Sequence, residues 1–263
     1  MSGIIGYIGN KEAYPVLIHG LNRFEFRGYD SVGTAVLTAN DFLIHNHAGK
    51  LATYKEAVGV DLPKGTIGIG HSRWATHGVA NDVNAHPHVS NSGQLAIVHK
   101  GIVENHASLK EQLLQEGFKF KSDTDTEVLI NWIEHIRNTN GYSLLESIQI
   151  ALNQVVGAYS LIVLDQEENA MYAVRKGAQL VIGVGQDEYI VSTDTTPIYA
   201  YTDKVINMEE EDVYRLIPGK EVEVLNLKNI EKSPVIEKLE EALDIIEKDG
   251  FAHFMLKEIY EQP

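Results

Sequence analysis

Apolar and polar positions change their rhythm several times along the chain. The opening alternation over residues 3–8, with Gly3, Gly6 and Gly9 set among Ile4, Ile5, Tyr7 and Ile8, predicts a strand. Residues 13–24 then bring apolar side chains at helical spacing, with Pro15 placed where a first helical turn accepts it. Residues 31–37 and 41–45 predict a strand pair around an Ala39-Asn40-Asp41 turn, and residues 66–71 and 94–99 two further short strands. Helical spacing returns over residues 107–116, 125–137 and, after the Asn140-Gly141 break, 143–155.

Seven closely spaced strands follow, over residues 157–165, 170–175, 180–185, 189–192, 205–208, 212–217 and 221–227. Strands at both ends with helices between them predict an α+β fold, with helices covering two sheets packed face to face. Strict strand–helix alternation, the mark of a parallel sheet, is absent. Near Asn229 the texture turns to Glu, Lys, Ser and Pro, and residues 235–248 predict a charged amphipathic helix. The expected division is a domain over residues 1–228, then a linker over 229–263 whose last residues, from Phe251, begin a further domain.

Composition narrows the chemistry. The chain has 263 residues, 44% of them hydrophobic, enough for a substantial core. A formal charge of −15 and a pI near 5.1 speak against nucleic acid or an anionic membrane as partner, since no Lys/Arg run supplies a phosphate-binding patch. Zero cysteines exclude disulfides, thiolate metal sites and a thiol nucleophile. The apolar run over residues 3–8 is too short for a signal-peptide core, so a soluble cytoplasmic protein is the expectation.

Splitting an amide requires a nucleophile, a base, donors for the tetrahedral oxyanion and groups that hold the substrate. A chain-terminal residue meets the first two needs at once, because an α-amine titrates near pH 8. Ser2-Gly3 has that form once Met1 is removed. Five blocks follow it: Phe26-Arg27-Gly28-Tyr29-Asp30-Ser31, His71-Ser72-Arg73-Trp74-Ala75-Thr76-His77-Gly78, Val83-Asn84-Ala85-His86-Pro87-His88, Gly101-Ile102-Val103-Glu104-Asn105 and Ser122-Asp123-Thr124-Asp125-Thr126-Glu127. In this order and spacing the chain resembles the glutaminase domains of the glutamine–fructose-6-phosphate aminotransferases, the glucosamine-6-phosphate synthases. These are class II glutamine amidotransferases of the N-terminal-nucleophile type. The tail Lys257-Glu258-Ile259-Tyr260-Glu261-Gln262-Pro263 is similar to the segment that leads into their sugar-phosphate isomerase domain.

The resemblance implies a four-layer α/β/β/α sandwich that hydrolyses L-glutamine to glutamate and ammonia without a cofactor or metal. The ammonia would aminate fructose 6-phosphate in a C-terminal domain of a homodimeric full-length protein. It implies Ser2 at the nucleophile's position, Lys100 and Gly101 at the oxyanion donors, and Arg27 helping to organise the nucleophile. Substrate contacts would come from Arg73, Thr76, His77, Gly101 and Asp125, with Trp74 gating ammonia. An arginine grips a carboxylate with two parallel hydrogen bonds, which suits Arg73 to the α-carboxylate of glutamine. Each residue also has a plainer reading: Trp74 as core, Asp125 as a helix N-cap, Arg73 as a surface ion pair. His71, His77, His86, His88 and His99 are scattered over strands and loops, and structural or substrate-contact roles outweigh a metal site.

The chain also departs from the family pattern. Cysteine is usual where Ser2 stands, and a hydroxyl is the harder nucleophile to activate. Asparagine is usual at Lys100, and losing one oxyanion donor costs about 2.7–4 kcal/mol in transition-state stabilisation. Val79-Ala80 and Ala178-Gln179 are smaller departures. The expected consequence is a poorly active glutaminase. The alternatives are a glutamine-binding module that no longer hydrolyses and, more remotely, an amidohydrolase built on a Ser2–Lys100 pair.

Overall fold

The computed structural model describes residues 2–24, 30–39, 41–239, 251 and 254–262. Two antiparallel sheets lie face to face. The first contains β1 (Gly3–Ile8), β2 (Ser31–Leu37), β3 (Phe42–Ala48), β4 (Ile67–Arg73), β9 (Val181–Val184), β10 (Tyr189–Ser192), β11 (Lys204–Asn207) and β15 (Glu237–Lys238), in the order β15-β11-β9-β10-β1-β4-β2-β3. The second contains β5 (His88–Val89), β6 (Leu95–Val103), β7 (Gly157–Asp165), β8 (Ala170–Lys176), β12 (Asp212–Leu216), β13 (Glu223–Asn226) and β14 (Glu231–Lys232), in the order β14-β13-β12-β8-β7-β6-β5.

Side-chain alternation sorts the strands into three buried layers. On β1, Ile4 and Ile8 enter the space between the sheets, while Ile5 and Tyr7 point outward beneath α1 (Ala13–Arg23). On β6, Ala96 and Val98 face inward, and Leu95, Ile97 and Val103 face α3 (His106–Gln115), α4 (Asp125–Asn140) and α5 (Leu144–Gln154). The order is thus helix, sheet, sheet, helix, the expected α+β sandwich. At full burial each Leu, Ile or Phe contributes roughly 1.5–3 kcal/mol, so the three layers supply most of the stabilisation.

The helices carry their own end signals. Ser143 caps α5 in a reciprocal box with Glu146, and α4 ends at Gly141 in the left-handed region with φ 66°. Glycine also lets segments approach. A Cβ on Gly33 would overlap the His86 carbonyl oxygen and Asn46 Oδ1, so the 85–87 segment can lie against β2 only because position 33 has no side chain.

Several local expectations are corrected. Strand β6 runs on from the expected end at His99 to Val103, so Lys100 and Gly101 are paired strand residues opposite Ser160 and Tyr159. Helix α2 (Leu51–Val58) is unanticipated, as is α6 (Phe254–Glu261). The helix expected from residue 235 is instead extended at its start, since Glu237 and Lys238 pair with Val205 and Lys204. Residues 240–250 lie outside the described residues. Among the described residues no helix is long and apolar enough to cross a membrane.

Candidate functional site

Register brings the chain start to the end of β4. Gly3 pairs with Ser72, so Ser2 continues past Arg73 and its Oγ accepts a hydrogen bond of 2.9 Å from the Trp74 amide. On β4 the two-residue period puts His71 and Arg73 on the face that carries Ile69 into the inter-sheet core. On β6 the same period aligns Lys100 with Ala96 and Val98 on the opposing inner face. Strands β1 and β4 contact β6 across the sandwich. Their ends enclose a cavity of about 450 Å³, with Ser2, Arg73, Trp74, Thr76, Lys100, Gly101 and Asp125 in its wall.

Arg73 is buried, with 3% exposure, which replaces the surface-ion-pair reading. Its Nη2 donates to the carbonyls of His77 and Gly78, and its Nη1 is buried with no hydrogen-bond partner. Burial pushes its pKa down, and the charges of Asp125 and Asp30 oppose that shift. Asp30 fixes the adjoining loop by accepting from the Ala75 amide at 2.9 Å and donating its own amide to the Arg73 carbonyl at 3.1 Å. An orphaned guanidinium N–H costs about 1–3 kcal/mol or more when left unmet, so Arg73 is poised for an anionic ligand.

Asp125 is also buried, but it is not the cap of α4. Thr124 takes that place, its Oγ1 accepting from the Glu127 amide at 3.2 Å, and Asp125 is the first helical residue. One Asp125 oxygen accepts from the Val103 amide at 2.8 Å, and the other lies 3.7 Å from His77 Nδ1. His77 is not among the residues lining the cavity; its ring lies beside Asp125 and its backbone carbonyl accepts from Arg73. Trp74 is 50% exposed, which removes the core reading. Gly101 has φ 148° and the Ala158 carbonyl oxygen where a Cβ would stand, so the strand at this wall tolerates only glycine. Arg27 lies outside the described residues.

The histidines, scattered in sequence, converge in space. His71 Nδ1 and His86 Nδ1 are 2.8 Å apart, and the rings of His86 and His88 meet edge to face at 4.9 Å. His99 Nδ1 is 2.9 Å from Thr126 Oγ1. Burial holds His71 and His86 well below the ordinary imidazole pKa, with Arg73's charge adding to the effect, and lowers His99. His88 is lowered to about 4, again by burial first. All four are neutral at pH 7. Among the described residues no group of three or more His, Asp or Glu side chains has the geometry of a metal site.

Beyond His88 the hydrogen bonds have one direction. An ionised Glu127 only accepts, so the Ser122 hydroxyl donates to it at 2.6 Å; the Thr124 hydroxyl then donates to Ser122 at 2.9 Å. Thr124 is left to accept from His88 at 2.9 Å, which puts the proton of His88 on Nε2. This chain was not legible in sequence, because its members come from three segments. The one available hint was the alternation of His71 with Arg73 on one strand.

A family model for a glutamine amidotransferase domain matches residues 71–200. The glutamine–fructose-6-phosphate aminotransferase (isomerizing) of Bacteroides thetaiotaomicron is 49% identical over 265 residues, covering all of this chain and 43% of that protein. An enzyme of the same name from Thermus thermophilus is 42% identical over 264 residues, again across the whole chain and 43% of its relative. The chain thus spans less than half the length of these relatives. Among solved structures, glutamine phosphoribosylpyrophosphate amidotransferase from B. subtilis superposes with a TM-score of 0.70 at 23% identity, over 92% of this chain and 50% of that one. A structure described as the allosteric regulatory enzyme of purine biosynthesis gives 0.69 at 25% identity with the same coverage. Both likenesses concern the fold.

Proposed function

The chain belongs to the glutamine amidotransferase domains, in the branch of the glutamine–fructose-6-phosphate aminotransferases, and from that premise we propose that its cavity receives L-glutamine with the side-chain amide facing Ser2. The observation that carries this reading is one cavity holding a buried arginine with an unmet donor, a buried aspartate and a serine hydroxyl. Arg73 takes the α-carboxylate, Asp125 the α-ammonium, and Thr76 and Gly101 add polar contacts. Fixed charges of opposite sign at one end orient the amino acid, which leaves its amide at the other.

With Met1 removed, the Ser2 hydroxyl attacks the γ-carbonyl and its proton passes to the α-amine of Ser2. The oxyanion forms beside Lys100 and the Gly101 amide. Collapse expels ammonia, the amine returning its proton, and water then cleaves the γ-glutamyl ester to glutamate. Arg27 would help order the nucleophile, and the exposed Trp74 would sit on the way out for ammonia. Ser2 and Lys100 both weaken this sequence, the first as a poorer nucleophile and the second as a flexible donor. The second reading, a module that binds glutamine without turnover, rests on that same combination. Amination of fructose 6-phosphate belongs to the longer relatives' additional domain and comes to this chain only as the fate of its ammonia.

Calorimetric titration with L-glutamine tests the reading. Saturable one-site binding that disappears in Arg73→Ala is expected; absence of binding in the folded wild-type protein overturns it. Glutamate release then separates the two readings, a measurable rate indicating an impaired enzyme and none the binding module.

A further inference from the structure

Both oxygens of Asp125 lead back to one residue, His106, that does not line the cavity. In an antiparallel pair, residues along a strand alternate between exchanging both backbone hydrogen bonds with their opposite number and exchanging neither. Glu104 donates its amide to the Val156 carbonyl at 2.8 Å, so Val103, one step earlier and opposite Gly157, turns both its backbone groups away from β7. Its amide donates to Asp125 Oδ2 at 2.8 Å. Its carbonyl oxygen lies 2.9 Å from His106 Nδ1. A carbonyl only accepts, so Nδ1 of His106 carries a proton and donates it to this bond.

The other oxygen is reached through a ring. The His106 imidazole meets that of His77 edge to face at 4.6 Å, and His77 Nδ1 lies 3.7 Å from Asp125 Oδ1. That nitrogen is buried without a hydrogen-bond partner, so packing is what places it beside the carboxylate. His106 itself is half-buried as the first residue of α3. The turn before it is pinned from elsewhere, because Asn105 Nδ2 donates to the Gln154 carbonyl at 2.9 Å and Asn105 Oδ1 accepts from the Val156 amide at 3.0 Å. Val103 is therefore gripped on its open side by Asp125 and His106 alone among these contacts. Its amide and carbonyl flank one Cα, so holding the carbonyl limits how far the amide can swing.

We propose that His106 is a positioning residue for the ammonium end of the ligand: its hydrogen bond to Val103, backed by its ring on His77, fixes the direction of the Asp125 carboxylate. The proposal deepens the function proposed above and rests on it, since Asp125 is the group that takes the α-ammonium. A plainer role, local support for the start of α3, predicts lower stability and equal weakening of every ligand. The positioning role predicts a loss confined to ligands that carry the ammonium, because a misdirected carboxylate costs only the group that needs it.

The test is calorimetric titration of the wild-type protein, His106→Phe and His106→Asn with L-glutamine and with glutaramate, the same molecule without its α-ammonium, read by displacement where its own heat is small. Phenylalanine keeps a ring against His77 and removes the donor. Asparagine removes the ring and offers an NH₂ near the place of Nδ1. His106→Phe should weaken L-glutamine about three- to tenfold in Kd, the loss of one ordinary hydrogen bond, and leave glutaramate within about twofold. His106→Asn should keep most of the wild-type preference for the ligand with the ammonium. Melting curves report that the variants are folded, and His106→Gln, whose amide reaches the place of Nε2 instead, replaces His106→Phe if the latter does not fold. Equal weakening of both ligands in His106→Phe, or no change in either, overturns the positioning role and leaves the proposed function intact. Loss of the preference in both variants alike overturns the bond to Val103 as its means. A folded wild-type protein that binds no L-glutamine overturns the proposed function, and the inference with it.

Discussion

Arg73 shows how much one side chain is asked to do at this site. Its Nη2 is committed to the carbonyls of His77 and Gly78, while its Nη1 is unmet. A lysine cannot serve both needs, because a single ammonium on a flexible stem lacks the planar fork. Arg73→Lys should therefore weaken glutamine and glutamate together, by about 10–100-fold in Kd, as expected for losing a charge-assisted hydrogen bond of roughly 1.5–3 kcal/mol. An unchanged Kd would remove Arg73 from the carboxylate. Reversal of the two departures at the reacting end makes a second prediction. Ser2→Cys alone should recover only part of a glutaminase rate, because the thiolate still faces a poorly placed oxyanion donor. Ser2→Cys with Lys100→Asn should recover on the order of 10²-fold more. Glutamate release, measured on protein shown by mass spectrometry to lack Met1, decides it; equal rates in both would mean that Lys100 already serves the oxyanion.

At the scale of elements, α4 and the 85–87 segment place what the residues use. Thr124 caps α4, accepts from His88 and donates to Ser122, so Thr124→Ala removes a cap worth about 1–2 kcal/mol and orphans a buried imidazole N–H. Its melting temperature should fall by several degrees at roughly 2–4 °C per kcal/mol, and binding should weaken because Asp125 follows directly on the cap. Gly33→Ala should act differently, pushing the 85–87 segment off β2 and so moving His86 away from His71; a melting temperature within a degree of wild type would contradict the close approach. Much of this level was legible in the chain. The order of strands and helices, the helix start at Ser143 and the grouping of Ser2, Arg73, Lys100 and Asp125 follow from periodicity, break signals and the family's blocks. Other parts were hidden for physical reasons. Ser122, Asp123, Thr124 and Asp125 are all capping types, and only backbone geometry selects Thr124. Helix α2 buries just Leu51 and Tyr54 and has no side-chain cap, too little signal to stand out. Glu237 and Lys238 are extended because β11 offers an edge to pair with, a tertiary fact that their charged helical spacing conceals.

The whole molecule inherits a pH dependence from the histidines it has gathered between its sheets and α4. His71, His86, His88 and His99 are buried and neutral, with folded pKa values below the ordinary 6.5. The groups facing them are Arg73 and Lys100, which disfavour their protonation, and Asp125 and Glu127, which favour it without overcoming burial. Between pH 6.5 and those lowered values the unfolded chain binds protons that the folded one does not, so stability is full above pH 6.5 and declines as pH falls. Each histidine contributes up to about 1.4 kcal/mol per pH unit across its own window. Stability should therefore decline steadily as the pH falls below 6.5. Asp165 opposes this with a single proton, since burial raises its pKa and its gain appears only in a more acidic window above 3.8. Urea titrations at pH 7.5, 6.5, 6.0 and 5.5 should give a constant slope in denaturant and a midpoint that drops below pH 6.5, with uptake of several protons on unfolding. His88→Gln, which can keep a donor to Thr124 but does not titrate, should reduce that uptake by one. A midpoint that stays level from pH 7.5 to 5.5 would mean that these imidazoles are solvated or charged in the folded protein.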